Sequence, residues 1–418
     1  MQYCLLDGGV GQALKEGLGS SSFAAGARAN VERKEEVVAV HRKFYEAAER
    51  GGWRGDVYAT TNSFVATPYH WKTESGDYLD FVSAAAANAR EAAAPFETRK
   101  VAGCLPPLGE CYAASGPTPT PTTTEGWVAT YKAIGRALGD NVDVLLAETL
   151  TSAAEGLAAA EAATQLGKSV WICFTLADDD TARLRSGEDL TEALAKVADY
   201  AAVEGLGINC CRVETISAAL DALLDVAADK KHVIAYANDF EGSTSNWLRD
   251  VGRPDCSVST ENSHEEALYG PKRYAERAKD WFARGVTVVG GCCGVTPEHM
   301  ELVASLDPKP MPPTEVKDII DLAAPLFDAV APDAATHKLQ MGRFADTIFR
   351  GSARVFWRRR WPKTFEGIIG ELGLQGEASL AHHIVTGLIV PASIRGDGGN
   401  DDDDDDPPGP GQHEDASA

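Results

Sequence analysis

The chain reads as an α/β protein, a closed (β/α)8 barrel of the TIM type with a C-terminal extension and a disordered acidic tail. Three observations predict this. Short β-rich runs alternate with longer helical patterns, the alternation repeats eight times, and the repeats fill a stretch of about 300 residues, an ordinary barrel size. Eight β-then-α units close into a parallel barrel whose active-site groups sit at the carboxyl ends of the strands.

The β-rich runs are Tyr3–Asp7, Val57–Thr61, Arg99–Cys104, Val142–Ala147, Ser169–Thr175, Gly205–Cys210, His232–Tyr236 and Val286–Gly290. Helical patterns separate them at Lys34–Arg50, Tyr78–Ala93, Glu125–Leu138, Ala153–Leu166, Leu190–Glu204, Ile216–Ala227 and Pro271–Arg284. Within these, apolar residues recur at three- and four-residue steps, which gives each helix one face to bury against a sheet. A Pro-Thr repeat at 117–124 forms a long, stiff connection after the third run, either a cover for the barrel mouth or a solvated insertion. The barrel is expected to span residues 1–306. A proline-rich linker follows at 307–313, then an extension at 314–396 with no assignable role, then an acidic tail at 397–418. That tail contains Asp401 to Asp406 and no Lys or Arg, a composition that cannot bury apolar surface.

Composition narrows the function classes. The 418 residues are 44% hydrophobic and 24% charged, as expected for a globular protein. A formal net charge of −23 argues against nucleic acid as a partner, because phosphate binding needs clustered Lys and Arg. Apolar runs fall well short of the roughly 20 residues that span a bilayer, and Tyr3-Cys4-Leu5-Leu6 enters a strand without room for a signal peptide. Nine cysteines spread over a long chain do not resemble a secreted disulfide framework. A reducing cytoplasm is the expected location.

The cysteines carry the strongest chemical signal. Gly205-Leu206-Gly207-Ile208-Asn209 runs into Cys210, and Val286-Thr287-Val288-Val289-Gly290-Gly291 runs into Cys292-Cys293-Gly294. Adjacent cysteines cannot readily bond to each other without strain, so metal ligation is the better use of the pair. Three thiolates from strand ends leave one position of a tetrahedral zinc open, the pattern of a catalytic site and not of a closed structural one. Neighbouring side chains at a strand end point to opposite sides, so only one of Cys210 and Cys211 can face the mouth.

Asp7-Gly8-Gly9-Val10-Gly11, Asn209-Cys210 and Gly290-Gly291-Cys292-Cys293-Gly294 resemble the three signatures of the homocysteine S-methyltransferase family. Smaller matches fall between them in order: Thr61-Asn62-Ser63-Phe64, Gly103-Cys104-Leu105-Pro106-Pro107-Leu108 and Glu148-Thr149. The resemblance covers about residues 1–305. It implies a Zn2+ cofactor held by Cys210, Cys292 and Cys293, with Cys210 preferred over Cys211 by the family register. It also implies substrate-binding roles for Asp7, Glu148 and Asn209, the two carboxylates meeting the ammonium of homocysteine. Cys104 stands where the family more often has Ser and reads as a small buried residue, while His41 and His299 read as structural or exposed.

The implied reaction transfers a methyl group from S-methylmethionine or S-adenosylmethionine to the zinc-bound thiolate of homocysteine, forming methionine. A homocysteine thiol needs such help, since free thiols of pKa about 8.5 are mostly protonated at neutral pH. The compact length and the Leu105–Leu108 loop are similar to the branch using these sulfonium donors. Two loops depart from the family pattern, Tyr236-Ala237-Asn238-Asp239 and Cys111-Tyr112-Ala113-Ala114, and both bear on donor identity. The alternatives are a betaine-dependent enzyme and a non-catalytic zinc-binding barrel that acts as an interaction protein.

Overall fold

The computed structural model describes residues 3–15, 24–72, 74–111, 121–179, 181–227, 230–239, 270–306 and 308. The expected extension and acidic tail, most of the linker, and residues 112–120 of the Pro-Thr connection lie outside these described residues. Eight parallel strands form a closed barrel in chain order. They are β1 (Cys4–Leu6), β2 (Val57–Thr60), β3 (Arg99–Leu105), β4 (Val144–Leu150), β5 (Val170–Phe174), β6 (Val203–Asn209), β7 (His232–Ala237) and β8 (Val288–Gly291). The ring closes where Cys4 and Leu5 of β1 pair with Val288 and Val289 of β8.

Helices surround the barrel: α1 (Val10–Lys15), α2 (Ala24–Glu32), α3 (Lys34–Arg50), α4 (Tyr78–Ala93), α5 (Thr124–Leu138), α6 (Ala153–Leu166), α7 (Leu190–Ala198), α8 (Val213–Ala227), α9 (Gly270–Arg284) and α10 (Pro297–Ala304). Their starts are written in the local sequence. Asp77, Thr123, Ser152 and Asp189 each accept a hydrogen bond from a backbone N–H of the first turn, which satisfies donors that the helix leaves open. Thr296 and His299 form a reciprocal capping box with Pro297 at the first helical position. Among the described residues, no helix is long and apolar enough to cross a membrane.

Several strand and helix ends shift by one to three residues, and the largest difference lies between α7 and β6. The pattern at Leu190–Glu204 predicts one long helix, but α7 stops at Ala198 and β6 already begins at Val203. The alanines at 201–202 extend the apolar pattern; Val203 N nevertheless bonds back to Tyr200 O in a turn, and Val203 pairs with Val170. Strand pairing thus overrides the local helical period. Helices α1 and α2 in the first connection, and α10 after the last strand, were not among the expected elements.

The core has two parts. Outward-facing strand residues such as Leu5, Val101, Leu145, Ile172 and Leu206 pack against the helices. The alternate residues Leu6, Tyr58, Ala102, Val144, Leu146, Trp171, Cys173, Ile234, Tyr236 and Val288 fill the barrel interior. Strand alternation then aims Cys104, Glu148, Asn209 and Cys292 at the mouth from the same inner face.

Candidate metal centre and substrate pocket

Cys210, Cys292 and Cys293 come together at the carboxyl ends of β6 and β8. Their sulfurs all lie within 4.8 Å of one another, the one such metal-capable group among the described residues. Cys210 Sγ is 3.0 Å from Cys292 Sγ and 4.0 Å from Cys293 Sγ. The Cys292 thiol is pushed well above the usual range, first by hydrogen bonding with Cys210 and Cys293, then by burial. Three thiols packed this closely cannot all ionise unless a cation shares the space.

Cys211 takes the other direction. Its buried Sγ accepts a hydrogen bond from Leu176 N at 3.2 Å and donates to Asn209 O at 3.0 Å, and the sulfur is absent from the three-thiol group. Of the two cysteines, Cys210 is the one that faces the mouth: the left-handed backbone at Cys210 (φ 52°) breaks the strand alternation that Asn209 ends.

Neighbouring loops hold the sulfurs in place. Asn238 Oδ1 accepts from Cys293 N at 3.1 Å and from Cys210 Sγ at 3.4 Å. Asp239 N donates to Cys293 O at 2.8 Å, its Oδ1 accepts from Gly270 N at 2.9 Å, and its Oδ2 lies 2.9 Å from His299 Nε2. Gln12 Oε1 accepts from Gly294 N. The Gly8-Gly9 pair is dictated by close approach: a Cβ at Gly9 would sit 2.9 Å from Cys292 O, and one at Gly8 would sit 2.4 Å from Val295 O. Among these supporting residues the sequence signatures contain Gly8, Gly9 and Gly294, Asn238 and Asp239 stand out as loop departures, and His299 reads as structural or exposed; Gln12 and Gly270 carry no signal along the chain.

Glu148 projects from β4 toward the same mouth and is buried. Its Oε2 accepts a hydrogen bond from Tyr236 Oη at 3.1 Å, and the Cys104 thiol donates to the carboxylate as well. Cys104 is therefore more than a space-filler. Burial raises the Glu148 pKa to about 7; the Cys210 thiol adds to the rise, and hydrogen bonds from Cys104 and Tyr236 oppose it. Asp7, past the end of β1, is also buried, with Oδ2 accepting from Thr60 N at 2.9 Å. Burial holds its carboxyl well above the usual range, opposed by the Thr60 hydrogen bonds and reinforced by Glu148. Two buried carboxylates with weakened hydration suit a cationic group of a ligand. His41 is fully buried 3.9 Å from Asp7, and burial lowers its pKa to about 4, so it is neutral there.

Asn209, expected among the substrate contacts, uses both ends of its side-chain amide on Thr149. Thr149 N donates to Asn209 Oδ1 at 2.8 Å, and Asn209 Nδ2 donates to Thr149 Oγ1 at 2.9 Å. Thr149 and Cys210 have φ of 59° and 52°, in the left-handed region that residues other than glycine seldom enter. Each such residue costs roughly 1 to 3 kcal/mol and persists only where its surroundings over-determine it.

The chain is similar to known proteins over the length of the barrel. The model of the family described as homocysteine S-methyltransferase matches residues 4–306. Homocysteine S-methyltransferase of Escherichia coli (strain K12) is 29% identical over 303 residues, covering 70% of this chain and 91% of that protein. Homocysteine S-methyltransferase 1 of Arabidopsis thaliana is 25% identical over 167 residues, 39% of this chain and 45% of its own length. Among solved structures, the Escherichia coli homocysteine methyltransferase MmuM in its metallated form is similar with a TM-score of 0.54 and 25% identity, covering 73% of this chain and 96% of that one. Its oxidized form gives a TM-score of 0.55 and 26% identity, covering 72% and 95%. With its barrel, its glycine-framed cysteine pair and a family match that runs through both, the chain belongs to the homocysteine S-methyltransferase family of enzymes.

Proposed function

We propose that this protein transfers a methyl group from S-methylmethionine or S-adenosylmethionine to homocysteine, forming methionine, with Zn2+ as its cofactor. The observation that carries the reading is the convergence of three thiols within 4.8 Å at a barrel mouth that also receives Glu148 and Asp7. Three sulfurs on a tetrahedral zinc, each about 2.3 Å from the metal, stand about 3.8 Å apart. The spacings of 3.0 and 4.0 Å bracket that requirement, and an all-sulfur donor set favours a soft-tolerant ion such as zinc. Cys210, Cys292 and Cys293 are the residues to hold it. When bound, zinc supplies the Lewis acidity that keeps a thiol deprotonated at neutral pH.

The protein's own residues do the remaining work. Glu148 and Asp7 receive the substrate ammonium, which restores to each buried carboxylate the counter-charge that burial withholds. Tyr236 and Cys104 orient Glu148 by donating to its oxygens. The described residues just past β3 (106–111) and β7 (Asn238 and Asp239) are the ones assigned to the donor side. In the transfer, the sulfur lone pair of homocysteine attacks the methyl carbon, a new S–CH3 bond forms, and the sulfonium C–S bond breaks onto its own sulfur. A cationic sulfonium and a thiolate give two neutral thioethers, so no proton or electron is left over. Substrate and donor are small molecules, and the free thiols suit a reducing, cytoplasmic setting.

Product analysis tests the reading: zinc-loaded protein, homocysteine, and S-methylmethionine, S-adenosylmethionine or betaine supplied separately. Methionine should form with a sulfonium donor. Turnover with betaine alone would move the protein to a different donor class, and zinc binding without turnover from any donor would make it a non-catalytic barrel.

A further inference from the structure

Asn209 and Thr149 each adjoin one half of the proposed substrate site, and the Asn209 side-chain amide is engaged by Thr149. Asn209 immediately precedes Cys210, and Thr149 immediately follows Glu148. Both are buried, and the Asn209 amide accepts from Thr149 N at 2.8 Å while donating to Thr149 Oγ1 at 2.9 Å. Amide orientation is unambiguous, since the Thr149 N–H can only donate. Both Thr149 and Cys210 are in the left-handed region, φ 59° and 52°. A β-branched residue does not stay there on its own. The register of β4 against β5 also shifts between Ala147 and Leu150, and the regular pairing of β4 with β3 ends at Ala147, so strand pairing does not reach the Glu148-Thr149 backbone. The hydrogen-bond pair to Asn209 does.

We propose that Asn209 and Thr149 are positioning residues that fix the reach between the Cys210 sulfur and the Glu148 carboxylate, and that this reach selects a thiol whose ammonium lies at the distance found in homocysteine. The inference rests on the function proposed above. It deepens that reading by naming what discriminates homocysteine from cysteine, whose sulfur and ammonium are one methylene closer. Asn209 ties β6 to β4 through Thr149, joining the residue that precedes Cys210 to the one that follows Glu148. A clamp at that point holds the span; without it Thr149 relaxes to an extended conformation and carries Glu148 with it.

The test compares zinc-loaded wild type with Thr149→Val, Thr149→Ser and Asn209→Ala, using homocysteine, cysteine and a simple alkyl thiol as acceptors. Thr149→Val keeps the shape and loses the hydroxyl, whereas Thr149→Ser keeps the hydroxyl. Thr149→Val and Asn209→Ala should raise KM for homocysteine about tenfold to a hundredfold, the scale on which small misplacements act. The simple thiol should be unaffected, so the preference for homocysteine over cysteine should shrink, and Thr149→Ser should behave as wild type. Zinc content by atomic absorption should stay at the wild-type level in all three, and calorimetric binding of homocysteine should follow KM. An unchanged homocysteine-to-cysteine ratio in Thr149→Val, or an equal loss for the simple thiol, would overturn the clamp. Loss of zinc from Thr149→Val would also overturn it, because the residue would then belong to the metal loop. If wild type binds homocysteine but methylates no thiol, the proposed function fails, and the binding preference among the same variants still decides the clamp.

Discussion

Glu148→Gln separates the cost of a buried carboxylate from its use. In the folded protein burial raises the Glu148 pKa from 4.5 to about 7, despite hydrogen bonds from Cys104 and Tyr236. A carboxyl whose folded pKa is raised contributes stability that is fully present below the unfolded value and is lost as pH rises through the folded one. The window is therefore about pH 4.5 to 7, with the protein less stable on the alkaline side. At 1.36 kcal/mol per unit of pKa, ionised Glu148 costs about 3 kcal/mol at pH 8 and under about 1 kcal/mol at pH 5. Glutamine has nearly the same shape, keeps an oxygen to accept from Tyr236, and carries no charge. The variant should therefore melt higher than wild type at pH 8 by several degrees, with most of the gain gone at pH 5. Homocysteine binding should move the opposite way, weakening about tenfold to a hundredfold for loss of a charge-assisted hydrogen bond worth roughly 1.5 to 3 kcal/mol. Metal content should not change. Differential scanning calorimetry at the two pH values and titration calorimetry with homocysteine read both effects. A variant that melts lower at both pH values, or that loses its metal, would refute the reasoning and make Glu148 a structural support of the metal loops.

Removing either Cys292 or Cys293 as alanine should abolish most zinc binding, measured by metal analysis, since each supplies one of three sulfurs within 4.8 Å. Cys211→Ala should retain its zinc and lose about 1 kcal/mol of stability, because Leu176 N loses the sulfur it donates to at 3.2 Å. Gly9→Ala places a Cβ 2.9 Å from Cys292 O, so the cysteine-pair loop must shift, and zinc affinity should fall in a chelator competition assay while the barrel stays folded. Deleting residues 397–418 should leave melting temperature and turnover nearly unchanged, as that composition has little apolar surface to bury.

Much of the barrel is legible along the chain because its strands and helices have different periods. Val144, Leu146 and Glu148 alternate on one side of a strand, and that alternation already aims Glu148 at the mouth. The cysteine pair behind two glycines is equally legible, since few other uses suit adjacent thiols at a strand end. The end of α7 was not, because Ala201 and Ala202 continue a helical pattern that only the pairing of Val203 with Val170 interrupts. Cys210 and Cys211 are indistinguishable by composition. They diverge when the backbone at Cys210 turns into the left-handed region, sending one sulfur to the mouth and the other to Leu176 N. The partner of Asn209 is hidden in the sequence for the same reason. A buried amide declares its partner only when a residue sixty positions away is brought within 2.8 Å, and that distance belongs to the closed barrel and to no local stretch of sequence.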